Sequence, residues 1–212
     1  MRNIYFISGV GTSKKLFNFL DLSFCNPVFV EWLKPLKDES LQQYALRIKE
    51  TIPDKSPVIV GVSFGGMLAS EIARADSTAK IIIISSNKTS DEFPKYLHIG
   101  NYFPIYKWVP DNLLKRKRIF TQFVFGAKGV EQKKLHRVLL QENDIPLTQW
   151  SIGAILNWKS TTAPKNITHI HGTADTLLPY KLVKADYTIK GGTHMMIMDR
   201  ANEIVSILKK LL

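Results

Sequence analysis

Four consecutive isoleucines, Ile81-Ile82-Ile83-Ile84, constrain the fold of this chain more than any other feature. A run of β-branched side chains loses rotamer freedom in a helix, and with no polar residue among them both faces of the segment must be covered. That is the pattern of a strand inside a parallel sheet flanked by helices on both sides. Five further short runs bounded by turn residues read the same way, at 3–7, 27–30, 57–61, 167–171 and 186–189, with the isoleucines inside 80–85. Helical patterns alternate with these runs. Leu41, Tyr44, Ala45 and Ile48 fall at i, i+3, i+4 and i+7, and Ser40 and Gln43 are spaced as a capping box. Ile204, Ile207, Leu208 and Leu211 repeat the pattern at the C-terminus, with Lys209 and Lys210 where a helix dipole favours cations. The expected class is α/β: an open, mostly parallel sheet of about six strands with helices on both faces.

The alternation stops between residues 87 and 160, where the sequence turns helical, aromatic and basic. Trp108, Trp150 and Trp158 lie there, and twelve Lys and Arg against six Asp and Glu put +6 of the total formal charge of +11 in this segment. It reads as a helical cap inserted into one domain spanning 1–212, a length that suits a single core. The first apolar run is a strand's length without a signal-peptide cleavage pattern, and no run reaches the roughly 18 apolar residues of a membrane span. A cytoplasmic location and no membrane span are expected. Cys25 is the single cysteine, so no internal disulfide is possible. The tetrad Lys115, Arg116, Lys117 and Arg118 forms a basic patch, but no nucleic-acid fold signature accompanies it. An acidic small molecule or acidic carrier protein suits that charge better than nucleic acid. Phosphate-loop and metal motifs are absent, so no cofactor is implied.

Chemistry concentrates in three places. Gly61-Val62-Ser63-Phe64-Gly65 follows Val58-Ile59-Val60 and precedes the apolar helical run from Met67 to Ala73. A Gly-x-Ser-x-Gly pentapeptide between strand and helix makes a turn so tight that Gly61 and Gly65 must lack side chains, and it projects the Ser63 hydroxyl above the sheet. A serine needs a base, and five histidines are available. His98 and His136 lie in the cap, His169 lies within a strand, and His171 ends that strand, where ordering the following loop is its expected role. His194, in Gly191-Gly192-Thr193-His194, opens at the carboxyl edge of the sheet, where sites of parallel sheets form. Asp175, in His171-Gly172-Thr173-Ala174-Asp175, emerges on that edge too and fits best as the orienting carboxylate; Asp186, Asp91 and Glu92 are the alternatives.

The nucleophile turn, the acid loop with Pro179 following, and Gly192-Thr193-His194, in the order Ser, Asp, His, together resemble the α/β-hydrolase superfamily. The resemblance covers roughly 1–86 and 161–212, with the cap placed where this family inserts one. It implies Ser63 as nucleophile, His194 as base, Asp175 as acid, and an oxyanion hole from the backbone N–H groups of Phe64 and, in Ser8-Gly9-Val10-Gly11, of Val10. The family often has His-Gly where this chain has Ser8-Gly9. The short interval between Asp175 and His194 implies that the helix usual there shrinks to a turn around 180–184.

These readings converge on a serine hydrolase of the carboxylesterase or thioesterase type, acting on a small-molecule ester or an acyl thioester. A second expectation, of a different class, is a ligand-binding protein that keeps the triad and turns over slowly or never.

Overall fold

The structure, a computed structural model, describes residues 1–94 and 144–212. Six strands form one sheet in the order β2-β1-β3-β4-β5-β6: β1 (Asn3–Ile7), β2 (Asn26–Phe29), β3 (Val58–Val62), β4 (Lys80–Ile84), β5 (Ile167–Gly172) and β6 (Tyr187–Ile189). Every neighbouring pair is parallel. All carboxyl ends therefore open on one edge.

The isoleucine run sits in β4 between β3 and β5, and its side chains alternate between two cores. Ile81 and Ile83 join Tyr44, Ile48, Phe64, Leu68 and Ile72, the apolar faces of α1 (Leu41–Glu50) and α2 (Phe64–Ala75). Ile82 and Ile84 join Phe6, Phe17, Ile204 and Leu208 on the opposite face. That second layer is a 3-10 helix (Lys14–Phe19) together with α4 (Met196–Asp199) and α5 (Ala201–Leu211). The α1 residues that the spacing placed on one face, Leu41, Tyr44, Ala45 and Ile48, are its buried ones, and the Ser40–Gln43 capping box closes reciprocally.

Strand limits differ from the sequence reading by a residue or so. β3 starts at Val58 because Pro57 has no N–H, although its carbonyl still accepts from Lys80 N at 2.8 Å. It runs on to Val62, which pairs with Ile84. β5 extends to Gly172, which pairs with Ile189. The turn after Asp175 is a 3-10 helix, Tyr180–Leu182.

Of the expected cap, 87–94 and 144–160 are described; Trp108, His98, His136 and the Lys115–Arg118 tetrad lie outside the described residues. Helix α3 (Ile145–Leu156) packs on the α1/α2 side, where Trp158 is buried and donates Nε1–H to Glu71 Oε1 at 2.5 Å. Ser160 O accepts from both Ser90 N, at 2.7 Å, and Ser90 Oγ, at 3.0 Å, so the chain leaves and rejoins the sheet side by side. Among the described residues no helix is long and apolar enough to cross a membrane.

Candidate active site

Ser63 occupies the single residue between β3 and α2, with φ 53° and ψ −119°. A non-glycine residue is strained there, and the surroundings hold it. Ser63 N donates to Ile84 O at 3.0 Å, while Ser63 O accepts from Gly66 N at 2.9 Å, Met67 N at 3.2 Å and Ser86 Oγ at 2.6 Å. With its backbone fully occupied, the side chain does not cap its helix. A side chain at Gly61 would strike the backbone of Gly65 and Gly66, and one at Gly65 would strike the carbonyls of Ile7 and Ser8. Both glycines answer to close approach, as the turn requires.

The Ser63 hydroxyl lies 3.0 Å from His194 Nε2, and His194 Nδ1 lies 2.9 Å from Asp175 Oδ2. The carboxylate can only accept from Nδ1–H, which leaves Nε2 bare to take the serine proton. Asp175 Oδ1 accepts from Leu177 N at 3.0 Å and Leu178 N at 2.8 Å, so neither oxygen is free to turn away. His194 and Asp175 are 5% and 4% exposed. Burial pushes the Asp175 carboxyl up, but the charge and hydrogen bond of His194, the Leu178 N–H and His171 outweigh it, leaving it below the ordinary carboxylate value.

The loops carrying Asp175 and His194 are stitched together before either side chain is counted. Thr173 N donates to Ile189 O at 3.0 Å, Ala174 N to Gly192 O at 2.9 Å, and Gly191 N to Thr173 Oγ1 at 2.8 Å. β5 and β6 are neighbours, so pairing alone delivers Asp175 beside His194. Of the competing carboxylates, Asp91 is exposed, and Asp186 and Glu92 are engaged elsewhere. Asp186 accepts from His169 N at 2.8 Å and Lys88 Nζ at 3.2 Å, and the half-buried Glu92 accepts from Lys88 N at 2.5 Å.

The loop after β1 passes against Ser63: a Cβ added at Gly9 would lie 3.3 Å from Ser63 Cβ. Among the described residues no hydrogen bond engages the N–H of Val10, and that of Phe64 stands in the first helical turn, where the helix offers no acceptor. The loop is braced by Ser8 Oγ and by Trp32 Nε1, which both donate to Thr12 O, at 3.0 Å and 3.1 Å. The Trp32 ring also stacks on Phe64, with centroids 5.9 Å apart. Sequence reading missed Trp32, which belongs to no motif; its position between β2 and α1 was the one available signal. Trp150 meets Phe64 edge-on at 6.0 Å and lines a cavity of about 540 Å³ together with Glu39, Ser40 and Gln149. Met195 and Met196 pack into the core on the α5 face, with Met198 against it.

No protein-family model matches the chain, nor does any curated protein sequence. Many solved structures match its fold. An esterase from Exiguobacterium antarcticum superposes with a TM-score of 0.75 at 12% identity, over 100% of this chain and 91% of its own. A lipase-esterase related protein from Clostridium acetobutylicum gives 0.70 at 14% identity, over 100% and 94%. An enol-lactonase from Burkholderia xenovorans gives 0.71 at 13% identity, over 99% and 90%. The parallel six-stranded sheet and these full-length superpositions agree: the chain has the α/β-hydrolase fold.

Proposed function

We propose that the chain is a serine hydrolase that cleaves a carboxylic ester or thioester through an acyl-enzyme on Ser63. The observation that carries the reading is the continuous line of contacts from Ser63 Oγ to His194 at 3.0 Å and from His194 to Asp175 at 2.9 Å. The strained backbone of Ser63 and the esterases and lactonase among the structural neighbours support it.

In this reading Ser63 Oγ attacks the carbonyl carbon while its proton passes to His194 Nε2. The new imidazolium is stabilised by the Asp175 carboxylate, and the carbonyl oxygen, now negative, is held by the Phe64 and Val10 N–H groups. The intermediate collapses as His194 returns the proton to the departing alcohol or thiol. His194 then takes a proton from water, whose oxygen attacks the acyl carbon, and returns it to Ser63 Oγ as the acyl–oxygen bond breaks, releasing the carboxylic acid and restoring Ser63.

The test is labelling by a fluorophosphonate probe followed by turnover of p-nitrophenyl esters of increasing chain length. Wild type labels and Ser63→Ala does not; equal labelling of the two, or none in folded wild type, overturns the reading. An acidic acyl carrier as partner rests on the charge of the 87–160 segment alone. Turnover of a carrier-bound thioester that falls as salt rises supports it.

A further inference from the structure

Behind the acid lies a pair of histidines that the mechanism above does not use. His169 and His171 both point to the same side of β5, as residues two apart on a strand do, and both are fully buried. His171 Nε2 lies 2.8 Å from Leu178 O, and a carbonyl can only accept, so this nitrogen carries the proton. In the neutral ring His171 Nδ1 is then a bare acceptor, 3.0 Å from His169 Nε2, which donates. The remaining nitrogen, His169 Nδ1, bonds to nothing among the described residues. With both rings kept neutral by burial, one arrangement of protons satisfies the pair, each ring protonated at Nε2. The alternative tautomer of His171 would set a lone pair against the Leu178 carbonyl.

Leu178 joins this pair to the triad. Its N–H holds Asp175 Oδ1 at 2.8 Å while its carbonyl takes the His171 proton. The same His171 nitrogen stands 3.4 Å from Asp175 Oδ2, the oxygen that faces His194. Resting on the reading of Ser63, His194 and Asp175 as a triad, we propose that His171 is a positioning residue: its Nε2–H clamps the Asp175–Leu178 turn so that the carboxylate meets His194 Nδ1–H. His169 fixes which nitrogen of His171 is available for this. Burial keeps both rings neutral against the groups that face them. Those groups are Asp175 and His194 around His171, with the Tyr180 ring 6.3 Å away, and Lys88, the Ser86 backbone and Asp186 around His169.

Two polar replacements separate positioning from packing. The amide oxygen and nitrogen of Gln can stand where the two ring nitrogens of His171 stand, accepting from His169 and donating to Leu178 O. Asn ends one atom short and cannot reach Leu178. With misplacement by about 1 Å costing on the order of 100-fold, His171→Asn should lower kcat about 100-fold at little-changed KM, and His171→Gln should recover at least about tenfold of that. The His194 Nδ1 proton, read by NMR in both variants and in a Ser63→Ala background, reports the Asp175 bond without turnover. It should vanish in the Asn variant and persist in the Gln variant. Equal kcat in the two folded variants overturns the proposal. So does a neutral Nδ1–H or a charged His171 in nitrogen-15 spectra of the wild type near neutral pH, a measurement that needs no variant to fold. Failure of the hydrolase reading shows itself separately, as absent Ser63-dependent labelling with the NMR differences intact.

Discussion

At the scale of single residues, the decisive quantity is how few alternatives each proton and lone pair has. Asp175 has both oxygens committed, Oδ1 to two backbone N–H groups and Oδ2 to His194. Asp175→Asn would offer its amide N–H₂ where an acceptor is needed, forcing His194 towards the tautomer that cannot take the serine proton. A loss of about 10⁴ in kcat is expected with the fold retained. A near-normal rate in a steady-state assay would reassign the acid. That Ser63, Asp175 and His194 would meet was legible in the sequence, because glycines two or three residues from each betray a tight turn and strand order placed all three turns on one edge. The clamp of His171 on Leu178 was not legible in its geometry. Nothing in the spacing of His171 and Leu178 says that a ring nitrogen meets a carbonyl until the 3-10 turn after Asp175 bends the chain back.

Among the elements, α1 shows local signals at their most reliable. The Ser40–Gln43 box was readable from spacing, and its removal by Ser40→Ala should cost about 1 kcal/mol, measured as a lowered urea midpoint with unchanged m-value. The strands were legible too, since a buried strand has little choice of composition. Their ends were not, because they depend on partners such as Ile84 and Ile189. Trp32 marks where element-level reading stops. Its hydrogen bond to Thr12 and its stacking on Phe64 tie together the two loops proposed to hold the oxyanion. Trp32→Phe keeps a ring against Phe64 and loses the bond to Thr12, worth about 1 kcal/mol. If the brace acts in the transition state, kcat should fall roughly fivefold with KM unchanged. A raised KM at constant kcat would make Trp32 a wall of the pocket instead.

For the whole molecule, the buried histidines couple folding to pH. Burial, aided by His171, holds the pKa of His169 well below the ordinary 6.5, and burial also lowers that of His171, so both stay neutral in the folded chain. The unfolded chain protonates them at the ordinary value and binds more protons. Stability is therefore complete above pH 6.5 and falls as the pH drops below it, by up to about 2.7 kcal/mol per unit while both sites contribute. Asp175, held below its ordinary 3.8, adds a further loss on acidification beneath that value. Urea midpoints measured from neutral pH down to acid should show the first decline, and His169→Phe should make it shallower. A flat profile would mean that the rings are charged in the folded state.

The three-residue β6 at the sheet edge carries a further consequence, concerning the order in which the protein fails on heating. Among the described residues this strand pairs with β5 alone, yet it carries the loop that ends in His194. Edge elements with few hydrogen bonds open at lower free energy than central ones. The proposed base is thus borne by the shortest strand among the described residues, while Ser63 is anchored to the isoleucine core. Inactivation should precede melting: catalytic activity should fade over a temperature range in which circular dichroism still reports an intact sheet.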